Sequence, residues 1–356
     1  MPTDSQNTDP EPCRVTLRDI AKRLGFSHST ISRALNNHPS IPHETCLKIQ
    51  AVAREMGYRR NALIATLTSQ LRMSRSVPYQ ATLAFVTNYR EKNEWKVGPA
   101  NLRFYEGALA RAHHLGYKLE EFWLKEFGPD SLKASRVLRN RGIRGLLIAP
   151  LRDPLENLSL EWSQFAVATI GHSMVAPRLH SAQNHHHHAL SLALRKLRHR
   201  GYRRVGLVLM PLSDHYSDGT FTSRYLYHWL PSAQEQMPEI FCQGGQAADF
   251  NEAHFRKWLK SQKPDAIICM GHQVHEWVSR LKIRVPEELG VVDLDIHDTR
   301  NGWSGIDMRE EEVAAAAVDL VVQQLQHTDF GIPSAPRTVL LEGRWIEGKT
   351  LLSKAT

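Results

Sequence analysis

Four consecutive histidines occupy positions 185–188, directly after Asn184. Imidazole-rich tracts of this kind can ligate zinc or nickel through neutral ring nitrogens. The spacing argues against a shared site, because ligand pairs on one helix face stand at i, i+3 or i, i+4. Only His185 and His188 meet that condition, and no carboxylate lies nearby in the sequence. Cys13, Cys46, Cys242 and Cys269 form no CxxC pair and no zinc-type spacing, which fits four reduced thiols in a cytosol. No GxxxxGK[ST] or GxSxG motif is present. Neither a resident metal nor a cofactor is therefore expected, and the chain does not read as an enzyme; a metal-dependent hydrolase built on 185–188 is the weaker alternative.

Charge points to a different chemistry. The chain has 356 residues and a net charge of +8. Residues 14–75 alone carry +8, with eleven Lys or Arg against three Asp or Glu, while residues 1–13 carry −3. A basic block confined to one end suits a polyanion, with a solvated basic face as the alternative. The first eleven residues lack the basic and apolar stretches of a secretory signal, and the apolar stretch 313–318 meets a charge long before the ~18 residues of a membrane span. Export and membrane insertion are thus disfavoured, and a cytoplasmic location is expected.

Three helices account for the basic block. Leu17, Ile20, Ala21 and Leu24 recur as one buried helix face, begun by the Thr16/Asp19 cap signature and ended by Gly25. Ser27 can cap a second helix that turns Ile31, Ala34 and Leu35 inward and leaves His28, Ser29, Ser32 and Arg33 outward. A third helix after Pro42 has Ile49, Val52, Ala53 and Met56 as its apolar stripe. Two short helices joined by a tight turn and braced by a third make a helix-turn-helix.

The segments VTLRDIAKRLGFSHSTISRALNN (15–37) and REMGYRRNALIATL (54–67) resemble the head of LacI-type (LacI/GalR family) bacterial transcriptional regulators. The resemblance implies a recognition helix over 27–33 in the major groove of double-stranded DNA, with His28, Ser29 and Arg33 at positions that read base edges and Ser32 beside them on the DNA-facing side. It places Thr16, Ser27, Asn36 and Tyr58 on phosphates, which set register rather than sequence choice. Asn61 to Leu67 correspond to the family's hinge helix, with Leu67 as the minor-groove wedge. Arg60 and Ile64 stand where the family commonly has proline and alanine.

Beyond a polar, proline-ended linker at 71–78, apolar runs at 82–87, 118–123, 145–149, 167–170, 205–210, 266–269 and 291–294 alternate with amphipathic stretches. This alternation implies parallel sheets covered on both faces by helices, in two lobes. The expected organisation is a tail over 1–13, a helix-turn-helix domain over 14–60, hinge and linker over 61–78, and a bilobed α/β effector domain over 79–356. Fragments such as YEGALARAHHLGY, RGIRGLLIAP, LRHRGYRRVGLVL and VPEELGVVDLD resemble the periplasmic-binding-protein-like core of the same family.

That resemblance implies a homodimer on a palindromic operator and a small-molecule effector between the lobes, by family default a carbohydrate. Repression is the commoner family role. Arg224 and Asp295 match residues that hold effector hydroxyls or carboxylates, with a structural ion pair as the alternative. Asn101, His272 and Trp95 stand where the family pattern is altered and are further effector candidates, with core packing as the equal alternative for Trp95. The histidine run falls where a helix begins at the lobe surface or cleft mouth. No leucine heptads follow the EGRWIEGKT segment, so a tetramerising tail is not expected. An exported sugar-binding protein without a regulatory role is the second alternative; it shares the bilobed core but does not account for the basic head.

An arginine on a recognition helix reads guanine bidentately, at about 1–3 kcal/mol of discrimination. Arg33→Ala is therefore expected to relax base preference at one position per half-site in a binding-site selection. Unchanged preference would show that Arg33 reads no base.

Overall fold

A computed structural model describes residues 15, 17–35, 41–56, 81–128, 131–152, 158–210, 213–214, 217–230, 237–241, 247–298 and 302–352. The chain divides into two compact units, one of residues 1–78 and 326–329, the other of 79–325 and 330–356.

In the first unit, α1 (Leu17–Leu24), α2 (His28–Leu35) and α3 (His43–Glu55) enclose Ile20, Ile31, Ala34, Cys46, Ile49 and Ala53. The apolar spacing dictates this arrangement, since each helix is too short to persist without a buried face. Gly25 closes α1 at φ +70°, a left-handed conformation that only glycine adopts cheaply, and its N–H donates to Ala21 O at 2.9 Å. Ser27 Oγ accepts the Thr30 N–H at 3.1 Å and so caps α2. Gln50 ties α3 to α2 through the Ala34 carbonyl.

The second unit follows the chain back and forth between two sheets. Strands β1 (Ala81–Thr87), β2 (Tyr117–Trp123), β3 (Gly145–Ile148), β4 (Ala166–Ile170) and β5 (His180–Asn184) belong to the first, and β6 (Val205–Val208), β7 (Ala266–Cys269), β8 (Gly290–Asp293) and β9 (Ser304–Asp307) to the second. Then β10 (Thr338–Leu341) joins the first sheet and β11 (Arg344–Ile346) the second, giving the orders β10-β5-β4-β3-β1-β2 and β11-β9-β8-β7-β6. Every pairing is parallel except β11 with β9.

Helices cover both faces of each sheet, as parallel strands require. On the first sheet α4 (Pro99–His114) and the long α10 (Glu310–His327) cover one face and α5 (Ser131–Asn140) the other. On the second, α6 (His186–His199) and α7 (Thr220–Trp229) lie opposite α8 (Glu252–Gln262) and α9 (His272–Arg280). Strands β5, β9, β10 and β11 lie outside the apolar runs named from sequence. Strand β5 reads HSAQN, polar in composition although four of its five residues are buried.

The chain crosses between the sheets three times, at β5–α6, β9–α10 and β10–β11, and the crossings are bonded together. Asn184 Nδ2 donates to Met308 O at 2.8 Å, and His185 N donates to Leu341 O at 2.8 Å. Beside them α4 and α10 approach so closely that a Cβ on Gly107 would lie 2.2 Å from the Glu311 carbonyl oxygen. Backbone cannot retreat as a flexible side chain can. Gly107→Ala is expected to destabilise the second unit by about 1–3 kcal/mol, read as a lower thermal or urea midpoint; an unchanged midpoint would show that the two helices can separate freely.

Candidate functional site

In an α/β sheet, the strand ends at which peptide carbonyls and helix N-termini converge are where polar side chains can meet a ligand. Both sheets bring such ends to the three crossings. Three groups of side chains gather there.

The first surrounds Arg103 on α4. Its guanidinium meets Asp307 at 2.9 Å, Glu310 at 2.8 Å and Glu311 at 2.7 Å. Asp307 ends β9 of the second sheet, so this arginine joins the two lobes. Arg344 also meets Asp307 at 2.8 Å, and His297 Nε2 meets Asp295 at 3.1 Å. Burial, and then the Asp295 charge, push the Glu310 carboxyl up to about 7 despite Arg103. Burial acts the same way on Asp307, but Arg103, Arg344 and the Arg309 N–H outweigh it and hold Asp307 low. Burial disfavours charge on His297, yet its bond to Asp295 and the nearby Glu310 raise it.

The second group is built on the histidine run. β5 delivers the chain directly into α6, with His185 as N-cap; its ring Nδ1 accepts the His188 N–H at 3.3 Å. His186 turns inward, its ring 4.8 Å from Phe221 and 5.0 Å from His172. Burial first, then the His172 charge, lower His186 to about 3, and burial also lowers His172. Both rings are neutral at pH 7. His186 Nδ1 is buried without a hydrogen-bond partner. On α7, Arg224 Nε donates to Ser191 Oγ at 2.5 Å and its guanidinium lies 5.6 Å from the Tyr227 ring, while Nη1 is buried without a partner. Burial and then the Arg224 charge lower His187.

The third group sits at the ends of β7 and β8. His275 Nε2 lies 2.9 Å from Asp293 Oδ2, Cys269 is buried beside them, and the Trp303 ring stacks on His275 at 3.7 Å and 7°. Burial, then Asp293, push the Cys269 thiol up.

The residues expected from sequence fall unevenly on these groups. Arg33 is exposed on α2, as a base-reading residue must be, and Ser27 caps the same helix. The side chains of His28, Ser29 and Ser32, and the whole of Thr16, Asn36, Tyr58, Asn61, Leu67 and the hinge, lie outside the described residues. Arg224 stands in the second group. Asp295 is paired with His297, yet its charge also reaches His186, so it links the first two groups. Asn101 Nδ2 donates to Tyr89 Oη at 3.0 Å and to Trp95 O at 3.1 Å, holding the loop after β1. His272 is exposed at the start of α9.

Trp95 is a correction. Its side chain is 1% exposed and packs against Phe85 and Tyr105 with ring centroids 5.4 and 5.3 Å away. Neither ring face is free to stack on a sugar, because an indole beside an apolar strand gains most by burial in the lobe core.

Arg103, His172, Asp293, His297 and Glu310 escaped sequence reasoning, since isolated polar residues gather only through the topology. Cys269, His272 and His275 carried a legible signal, a C-x2-H-x2-H spacing across the end of a strand and the first turn of a helix.

Comparison with known proteins agrees with this architecture. Residues 16–61 match the family described as bacterial regulatory proteins, lacI family, and residues 194–351 match the periplasmic binding protein-like domain. The uncharacterized HTH-type transcriptional regulator YkvZ of Bacillus subtilis is 21% identical over 87% of this chain and 93% of its own length. Curated relatives at 45–46% identity match over only 47–56 residues of the head, 13–17% of each one's length. Among solved structures, the transcriptional regulator CelR–cellobiose complex superposes with a TM-score of 0.58 at 17% identity, over 95% of this chain and 100% of that one. The lac repressor dimer bound to operator and the anti-inducer ONPF gives 0.54 at 19%, over 95% and 99%. At these identities the structural likeness establishes the fold. No helix among the described residues is long and apolar enough to cross a membrane.

The buried neutral histidine makes a pH prediction. Folded His186 takes a proton only near pH 3, whereas an unfolded imidazole takes one near 6.5. Between those values the unfolded chain binds more protons, so stability is fully present above about pH 6.5 and falls on acidification. His186→Gln is expected to reduce the acid-side slope of unfolding free energy by about 1.4 kcal/mol per pH unit between roughly pH 6 and 4. An identical slope in the variant would show that His186 titrates normally.

Proposed function

We propose that this chain, a LacI-type bacterial regulator with a lacI-family helix-turn-helix head followed by a periplasmic-binding-protein-like domain, is a sequence-specific DNA-binding transcription factor whose operator affinity is set by a small molecule held between the two lobes. It acts in the cytoplasm as a homodimer on a palindromic operator, and its role is repression. A dimer suits the head because one eight-residue recognition helix offers little contact area, and protein two-fold symmetry matches operator palindromy.

The observation that carries the effector half of this reading is a pair of buried polar atoms without partners, Arg224 Nη1 and His186 Nδ1. Buried polar groups are almost always satisfied, so two such atoms at the lobe crossing call for a ligand that bonds them. A carbohydrate fits. A neutral His186 offers one donor and one acceptor, which matches a hydroxyl, His172 keeps Nδ1 as an acceptor while its Nε2 donates to the Asn184 carbonyl, and Asp295 and Arg224 add charged partners. The cellobiose complex among its structural neighbours is consistent with a sugar. The cleft reads as a binding site rather than a catalytic one, since Arg103, Asp307, Glu310 and Glu311 are engaged with one another in ion pairs.

An effector acts by favouring one lobe arrangement over another, and linkage makes the effect on operator affinity equal to the effect of operator on effector, typically 1–3 kcal/mol. The test is selection of bound fragments from randomised and genomic DNA by purified protein at ~150 mM salt, a range in which phosphate contacts dominate non-specific binding, followed by a repeat with pooled saccharides. A palindrome whose enrichment changes with one saccharide is the expected result. Arg224→Ala is expected to keep the palindrome and lose the saccharide response. Enrichment of no sequence under either condition would overturn the DNA-binding reading, and a palindrome indifferent to every saccharide would overturn the carbohydrate assignment.

A further inference from the structure

Beyond the effector cleft, the ends of β7 and β8 hold a second constellation that regulation as described leaves unused. We propose that Cys269, His275 and Asp293 form a binding site for a zinc-class divalent cation, with His272 as the fourth ligand.

The geometry brings three ligand atoms within reach of one ion. One ligand atom from each of the three residues lies within 4.8 Å of the others, and His275 Nε2 and Asp293 Oδ2 are 2.9 Å apart. Three points so spaced share a position no more than about 2.5 Å from each, against zinc bond lengths of roughly 2.0–2.3 Å. Movements of a few tenths of an ångström would close the difference.

A hydrogen bond does not account for the close pair. Despite its 2.9 Å distance from Asp293, His275 Nε2 is buried and not in hydrogen-bonding geometry with any partner. A cation bound by both would satisfy the imidazole nitrogen and the carboxylate oxygen together. Trp303, stacked at 3.7 Å on the imidazole, fixes the ring plane, as the shell around a metal ligand commonly does. Asp293 is held by its other oxygen, which accepts the Asp295 N–H at 3.0 Å.

The donor set selects the ion. A thiolate, an imidazole and a carboxylate together suit zinc, and not magnesium or calcium, which prefer oxygen alone. His272 stands three residues before His275 on α9, with its ring 6.3 Å away, and its exposure gives the ion a path from solvent. On binding, the Cys269 S–H bond breaks, its proton passes to solvent and the electron pair forms the sulfur–metal bond, so no oxidant or reductant is involved.

Cobalt(II) reports this directly. The full chain, stripped with chelator and dialysed against Co2+, is expected to retain one ion with a sulfur-to-cobalt charge-transfer band and the intense visible bands of tetrahedral coordination, both lost on adding Zn2+. Cys269→Ser should remove the charge-transfer band. His275→Gln, which leaves the thiol in place and guards against a serine variant that does not fold, should weaken cobalt binding at least about tenfold. The variant His185→Asn/His187→Asn/His188→Asn should keep the full spectrum, because the histidine run is separate. No retained cobalt, a pale octahedral spectrum, or a spectrum lost in the run variant and kept in Cys269→Ser would each overturn the assignment.

Discussion

The contact between the lobes depends on one guanidinium. Arg103 projects from a helix of the first lobe and gathers three carboxylates, Asp307 from the last parallel strand of the second sheet and Glu310 and Glu311 from the start of α10. Its side chain is 19% exposed, and those of Asp307 and Glu310 are 9% and 3% exposed. Charges taken this far from water cost several kcal/mol each, and mutual attraction repays that only with good geometry and every remaining lone pair engaged. Arg103 meets that demand by serving three partners, and Arg344 and the Arg309 N–H complete Asp307. Gly107, one turn further along α4, allows the approach, since any side chain there would strike the Glu311 backbone.

The same network explains why Glu310 is the odd member. Three acids and two arginines are in direct contact, with Asp295 and His297 behind them, and burial makes full ionisation of neighbouring acids unfavourable. The group with the least exposure and a nearby second carboxylate holds its proton most readily, so Glu310 titrates near 7 while Asp307 remains ionised.

Most of the fold was legible because it rests on local pattern. Ile20, Ile31 and Ile49 lie on helix-spaced stripes, and Phe85, Leu147 and Ile268 lie in apolar runs that only a strand covered on both faces can hide. What escaped had no local pattern. β5 is HSAQN, whose burial comes from its place between β4 and β10, and β9 is the four-residue SGID. Candidate site residues could be named from sequence where the family resemblance supplied them, as at Arg33, Arg224 and Asp295, and the C-x2-H-x2-H spacing of Cys269, His272 and His275 was the other local signal. Arg103 and Glu310 are 207 positions apart and meet through a crossing that no window of sequence reveals. Trp95 shows the opposite failure, in which a residue type suited to sugar stacking was taken into the core by its neighbours Phe85 and Tyr105.

The crossings also decide what kind of motion the lobes can make. β5 enters α6 with His185 alone between strand and helix, and Met308 and Arg309 alone separate β9 from α10. Connections this short leave few backbone torsions to absorb a movement, and the bonds from Asn184 to Met308 and from His185 to Leu341 tie the three together. Any relative displacement of the lobes must then pivot about this line and appear at the residues flanking it. Two groups stand near the crossings, one of Arg103, Asp307 and Glu310, the other of His186 and Arg224 with their unpartnered atoms. Asp295 belongs to both, bonded to His297 and felt electrostatically by Glu310 and His186.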